Sequence, residues 1–163
     1  MKTIVSQIDI VATVLAGYAE RRVFQGFSRG PASRGKASFQ IAWHRGRVFE
    51  LAFEVRTNTL RLSELLTGVP ADSSMYGDLK DFIRSRQSDD LPDHRCLDAR
   101  KIQIRTYNRS GNIMLVVRIK DGDNEYAVRK LVHLINEIYL TFLADGQYFD
   151  YLVETFNLDP DRM

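Results

Sequence analysis

The chain has a single cysteine, Cys96. No intramolecular disulfide can form, and no cysteine framework marks an oxidising compartment. Cys96 and three scattered histidines supply a structural zinc site poorly. No metal and no cofactor is therefore expected. Charge of one sign is also scarce. The 23 Lys/Arg and 21 Asp/Glu leave a net charge of +2, so the molecule as a whole is no polycation. Apolar runs are short, and none reaches the roughly 18 uninterrupted residues that a membrane span needs. Lys2 and the apolar stretch Ile10 to Ala19 have the outline of an export signal. Asp9 interrupts it and one positive charge precedes it, so a cytoplasmic protein is expected.

What is present suits one domain over residues 1–163. Hydrophobic residues make up 44% and charged residues 27%, which is too apolar and too nearly neutral for disorder. The charge is unevenly placed. Residues 1–61 carry an excess of positive charge and residues 62–163 an excess of negative charge. The first part therefore suits an anionic partner, the acidic part of its own fold, or a second copy.

Ile4, Ile8, Val11 and Leu15 recur at helical spacing and predict a short helix. Tyr18 to Phe27 reads as a strand, and residues 28–36 as a loop crowded with Gly, Pro and Ser. Period-two alternation then dominates. Phe39, Ile41 and Trp43 answer Phe49, Leu51, Phe53 and Val55 across a turn at His44–Arg47, with a further strand around Thr59–Leu62. A second hairpin runs from Lys101 to Asn108 and from Asn112 to Lys120, turning at Arg109-Ser110-Gly111. Met75, Leu79, Phe82 and Ile83 predict a helix between the hairpins, capped by Asp72 or Ser73. After Asp121-Gly122-Asp123, the stripe Tyr126, Leu131, Leu134, Ile135, Ile138, Tyr139 and Phe142 predicts a long helix, broken at Asp145-Gly146. A last helix follows from Gln147. The expected fold is α+β: an antiparallel sheet of about five strands, in the order α-β-β-β-α-β-β-α-α, covered by helices.

Several constellations invite a chemical reading. Gly30 to Lys36 fits G-x-x-x-x-G-K, but Ala37 stands where a magnesium-binding hydroxyl belongs, and a strand pattern follows where phosphate binding needs a helix. The expectation is a basic hairpin loop. Its Arg21, Arg22, Arg29, Arg34 and Lys36 suit phosphates, with Phe24 and Phe27 nearby to stack on bases. No RRM, KH or helix-turn-helix signature accompanies them. His94 and Cys96 lie among Asp89, Asp90, Asp93 and Asp98, where a thiolate with a neighbouring base would support nucleophilic chemistry. Against that, a half-buried cysteine in an acidic loop is the commoner arrangement. Asp121 to Glu125 begins like a calcium loop and then lacks its later ligands. His133 and Glu137 are one helical turn apart and suit a surface pair, and His44 at its turn is expected in solvent. Near the C-terminus aromatic residues crowd together, Tyr139, Phe142, Tyr148 and Tyr151 among them, and the stripe on the long helix is wider than one sheet face needs. Tyrosines with a wet tip suit a partner-binding surface.

The order of elements from Thr3 to Phe142 resembles the type III secretion chaperone-like fold, including the YbjN-like bacterial proteins. That resemblance implies a protein without an active site that binds other polypeptides, commonly as a dimer. The segment from Asp145 onward departs from the family pattern. The leading expectation is a non-catalytic protein-binding or regulatory module. A small enzyme or metal protein built on Cys96 and His94 is one alternative, and nucleic-acid binding through residues 21–36 is another.

Overall fold

The computed structural model describes residues 4–44, 47–87, 91, 96–144 and 147–156. The first helix, α1 (Ile4–Glu20), is longer than its early periodicity suggests. Tyr18 continues the stripe of Ile8, Val11 and Leu15, and all four are buried. The expected strand over Tyr18–Phe27 is thus corrected: its first part is helix, because burial of a continuous stripe outweighs β-propensity. The helix ends in a Schellman motif. The Val23 N–H donates to the Tyr18 carbonyl at 2.9 Å and the Arg22 N–H to Ala19 at 3.0 Å, with Arg22 at φ 63°.

Six antiparallel strands follow, one more than expected. They are β1 (Gly26–Arg29), β2 (Lys36–Trp43), β3 (Arg47–Glu54), β4 (Thr59–Leu66), β5 (Ile102–Arg109) and β6 (Asn112–Ile119). The short β1 is what stands of the strand expected over Tyr18–Phe27, shifted to Gly26–Arg29 and paired along β2 from Gly26↔Ala42 to Arg29↔Phe39. The sheet order is β1-β2-β3-β4-β6-β5. The chain leaves β4 through α2 (Ser74–Ser85), lands on the far edge as β5, and returns as β6 between the two. Tight turns set the hairpin registers. Arg34 (φ 55°) and Gly35 (φ 75°) join β1 to β2, and Ser110 (φ 52°) and Gly111 (φ 90°) join β5 to β6. Two positive-φ central residues give the twist that adjoining strands require. In β4 the register shifts between Leu62 and Leu66.

Ser73 caps α2 by accepting the Tyr76 N–H at 3.2 Å, and Asp123 caps α3 (Asn124–Glu137) by accepting from Tyr126 at 3.1 Å. The helix beyond Glu137 is not the continuous α-helix expected. It passes into a π-helical stretch, Ile138–Leu143, whose wider turn is marked by the Ala144 N–H donating to the Tyr139 carbonyl at 3.0 Å. The widened turn buries Ile138, Tyr139 and Leu143 together and leaves Leu140 54% exposed. The expected break at Asp145-Gly146 lies outside the described residues. The last helix is α4 (Phe149–Phe156).

The core lies on one face of the sheet. Phe39, Leu51, Leu62 and Leu115 form one buried cross-strand row, and Phe53, Leu60 and Val117 the next. The stripes of α1 and α3 close over these rows, and α2 reaches the same face where the Tyr76 hydroxyl meets the Thr106 Oγ1 at 3.1 Å. The opposite face carries the alternate residues of every strand.

Candidate functional site

The most elaborate side-chain cluster lies where the π-helical stretch crosses the turn between β2 and β3. The register shift in β4 leaves backbone carbonyls outside the regular ladder, and such groups must find other partners. Arg47 supplies them. Its guanidinium donates to the carbonyls of Leu65 at 2.8 Å and Glu64 at 3.0 Å, and to the Tyr139 hydroxyl. Tyr139 in turn donates to the Leu65 carbonyl at 2.7 Å. Burial pushes Arg47 down to about 10, against the opposing pull of Tyr151 and Glu64. The Arg47 guanidinium lies over the Phe49 ring at 4.9 Å.

His44 completes this cluster rather than facing solvent. Its ring stacks between Trp43 and Tyr139, each centroid 4.3 Å away. The backbone there is at φ 53°, which aims the imidazole back over the sheet end. Burial, and secondarily the Arg47 charge, lower its pKa from 6.5 to about 4. Its Nε2 is buried without a hydrogen-bond partner. The sequence places His44 in solvent because a turn residue ordinarily faces water, and nothing local announces a helix from more than 90 residues away.

Of the four residues expected on a partner surface, Tyr139 is corrected: it is 3% exposed and belongs to the core. Phe142, Tyr148 and Tyr151 are half-buried against that core. The Phe142 ring lies 5.1 Å from Tyr148 and 5.5 Å from Phe82. The Tyr148 hydroxyl donates to Asp78, and that of Tyr151 to the Thr67 carbonyl. The aromatic surplus thus fastens α4 to α2 and to the end of β4.

The basic loop is dispersed by the fold. Arg21 lies over the Tyr18 ring at 4.8 Å, and Arg22 forms the helix cap. Arg29 meets Asp9 at 3.0 Å, and Lys36 lies 4.0 Å from Glu54. Arg34 is exposed in its turn. Phe24 is buried against Trp43, and Phe27 stacks on Phe39 at 6.0 Å, so neither ring stands free for a base. Lys36 opens a strand, as the sequence indicates, and no helix follows it.

His94 and Asp89, Asp90 and Asp93 lie outside the described residues. Cys96 is half-buried and lines a cleft with Gln87, Asp98 and Tyr126. Hydrogen bonds from Arg100 hold the Asp98 carboxyl below its ordinary range. The carboxylates of Asp121 and Asp123 are engaged in the strand exit and helix cap, with Lys101 at 3.4 and 2.8 Å. Glu137 meets Arg86 at 2.7 Å. Among the described residues, no group of three His, Cys, Asp or Glu is placed to hold a metal. No helix of the described residues is long and apolar enough to cross a membrane.

The feature missed in the sequence is the open sheet face. On β5 it carries Gln103, Arg105, Tyr107 and Arg109, and on β6 Asn112, Met114, Val116 and Arg118. Arg61 continues it on β4, and Val48, Glu50 and Ala52 on β3. Val48 is 61% and Tyr107 46% exposed. The signal lay in the out-of-phase residues of each strand, which carry arginine and apolar side chains where short polar ones would suffice. The chain matches no family model, no curated protein and no solved structure.

Proposed function

We propose that this protein is a non-catalytic module that binds another polypeptide, a second copy included, in a chaperone-like or regulatory role in the cytoplasm. The observation that carries this reading is the uncovered face of the six-stranded sheet. Exposed Val48 and Tyr107 and half-buried Met114 and Val116 are interleaved there with charged side chains. Apolar side chains surrounded by polar ones are the anatomy of a protein interface. The order of elements adds support through the chaperone-like resemblance, which implies peptide binding and dimers by analogy of fold.

The test is native mass spectrometry of the protein purified gently from its own cells. The expected result is a dimer or a complex with another polypeptide, weakened by the pair Val48→Asp and Tyr107→Asp. Both side chains are exposed, so the variant keeps its fold, which circular dichroism verifies. A bare monomer, or association untouched by the pair, refutes the reading.

A further inference from the structure

The open face is chemically divided. Its β4-β6-β5 half carries Arg61, Arg105, Arg109 and Arg118, and the acidic residue of these three strands is Glu64, exposed within the register shift of β4 and near Arg47. All four arginines are exposed, and none has an ion-pair partner among the described residues. The β3 part carries Glu50 and Glu54, the latter beside Lys36.

Register fixes the pattern. Arg61, Val116 and Arg105 are directly opposite one another on three successive strands. The two arginine Cα atoms therefore flank Val116 at a separation of about 10 Å. Arg118 stands one same-face position along β6 in one direction, and Met114 opposite Tyr107 in the other, with Arg109 beyond them. Same-face positions repeat at about 7 Å, so the strip is about 20 Å long. It has an apolar middle, Val116, Met114 and Tyr107, and cations on its flanks and ends.

We infer that this half of the face docks an acidic amphipathic segment of a partner polypeptide, an inference that rests on the protein-binding reading above. A helix is about 10 Å wide, and about 13 residues of it cover 20 Å. Its apolar stripe meets Val116, Met114 and Tyr107, and acidic residues along its sides meet the arginines. Guanidinium groups offer carboxylates a two-pronged donor pair. Glu50 and Glu54 repel such a segment from the β3 side and confine it to the arginine half. Single-stranded nucleic acid meets the charge requirement but wants a series of aromatic platforms. Tyr107 is the single aromatic side chain that the described strands present on this face.

Fluorescence anisotropy with labelled probes tests this on the full chain. The probes are a Leu/Glu peptide of about 14 residues with leucine at helical spacing, the same peptide with lysine for glutamate, and an oligo-dT strand. The Leu/Glu peptide is expected to bind, and its affinity to fall as salt rises from about 50 to 200 mM. The double variant Arg61→Ser/Arg105→Ser is expected to weaken it at least about tenfold, or about 1.4 kcal/mol, and Met114→Ser to weaken it separately. The Leu/Lys peptide is expected not to bind. Tighter binding of oligo-dT, lost in the arginine variant, overturns the inference in favour of nucleic acid. Peptide binding that ignores the arginine variant also overturns it. If neither anionic probe binds but a native polypeptide companion persists, the acidic chemistry fails while the protein-binding reading stands. If no companion appears either, both fail.

Discussion

Acidification offers a direct test of the His44 sandwich. The imidazole is held between two aromatic rings beside the Arg47 guanidinium, and its Nε2 has no acceptor for an added proton. Its pKa falls from 6.5 to about 4 on folding, chiefly through burial. Between these two values the unfolded chain binds a proton at this residue and the folded chain does not. The contribution of His44 to stability is thus complete above the unfolded pKa and is lost as pH falls toward the folded one. The full difference is about 3 kcal/mol, of which about 2 kcal/mol is gone by pH 5. Urea denaturation at about pH 7 and pH 5 measures it when the protein is compared with His44→Asn. Asparagine tolerates the positive φ at this position and does not titrate. Carboxylates shared by both proteins cancel in the comparison. The wild type is expected to lose about 2 kcal/mol more than the variant over this interval. Equal losses in the two proteins refute the claim that His44 stays neutral in the folded state.

Two further substitutions probe the same architecture. Tyr139→Phe removes the hydroxyl that joins Arg47 to the Leu65 carbonyl, and is expected to cost about 1–2 kcal/mol in chemical denaturation. No loss would show that Arg47 alone satisfies the β4 carbonyls. Arg22→Gly relieves a left-handed backbone at the end of α1, and is expected to raise stability by about 0.5–1 kcal/mol, read as a higher melting temperature. A lower one would mean that the arginine side chain contributes more than its backbone strain costs.

The hairpins were legible because local rules govern them. Period-two alternation and a turn such as Ser110-Gly111 fix two neighbours without help from the rest of the chain. The caps at Ser73 and Asp123 were equally local. Three other features were not legible. Tyr18 reads as strand when its neighbours alone are weighed, and becomes helix because α3 offers its stripe a partner. Tyr139 looked like a surface tyrosine, since nothing near it in sequence reveals Arg47 or the β4 carbonyl of Leu65 that it meets. The π-helical turn arises from fitting Ile138, Tyr139 and Leu143 into one core. No spacing rule for α-helices contains that solution. The open face is encoded in the out-of-phase residues of each strand, but period-two alternation marks only which phase is buried and not whether a helix covers the other.

The seam between β4 and β6 has a consequence for how the chain is made. The first four strands are complete once Leu66 has left the ribosome, yet the neighbour of β4 begins only at Asn112. At about 5–20 residues per second, the nascent meander waits several seconds with a raw hydrogen-bonding edge beside Leu60 and Leu62. The half-made protein is therefore the form most open to strand theft by its neighbours. Insertion of β6 closes that window, locking the early half of the chain and the late half into one sheet.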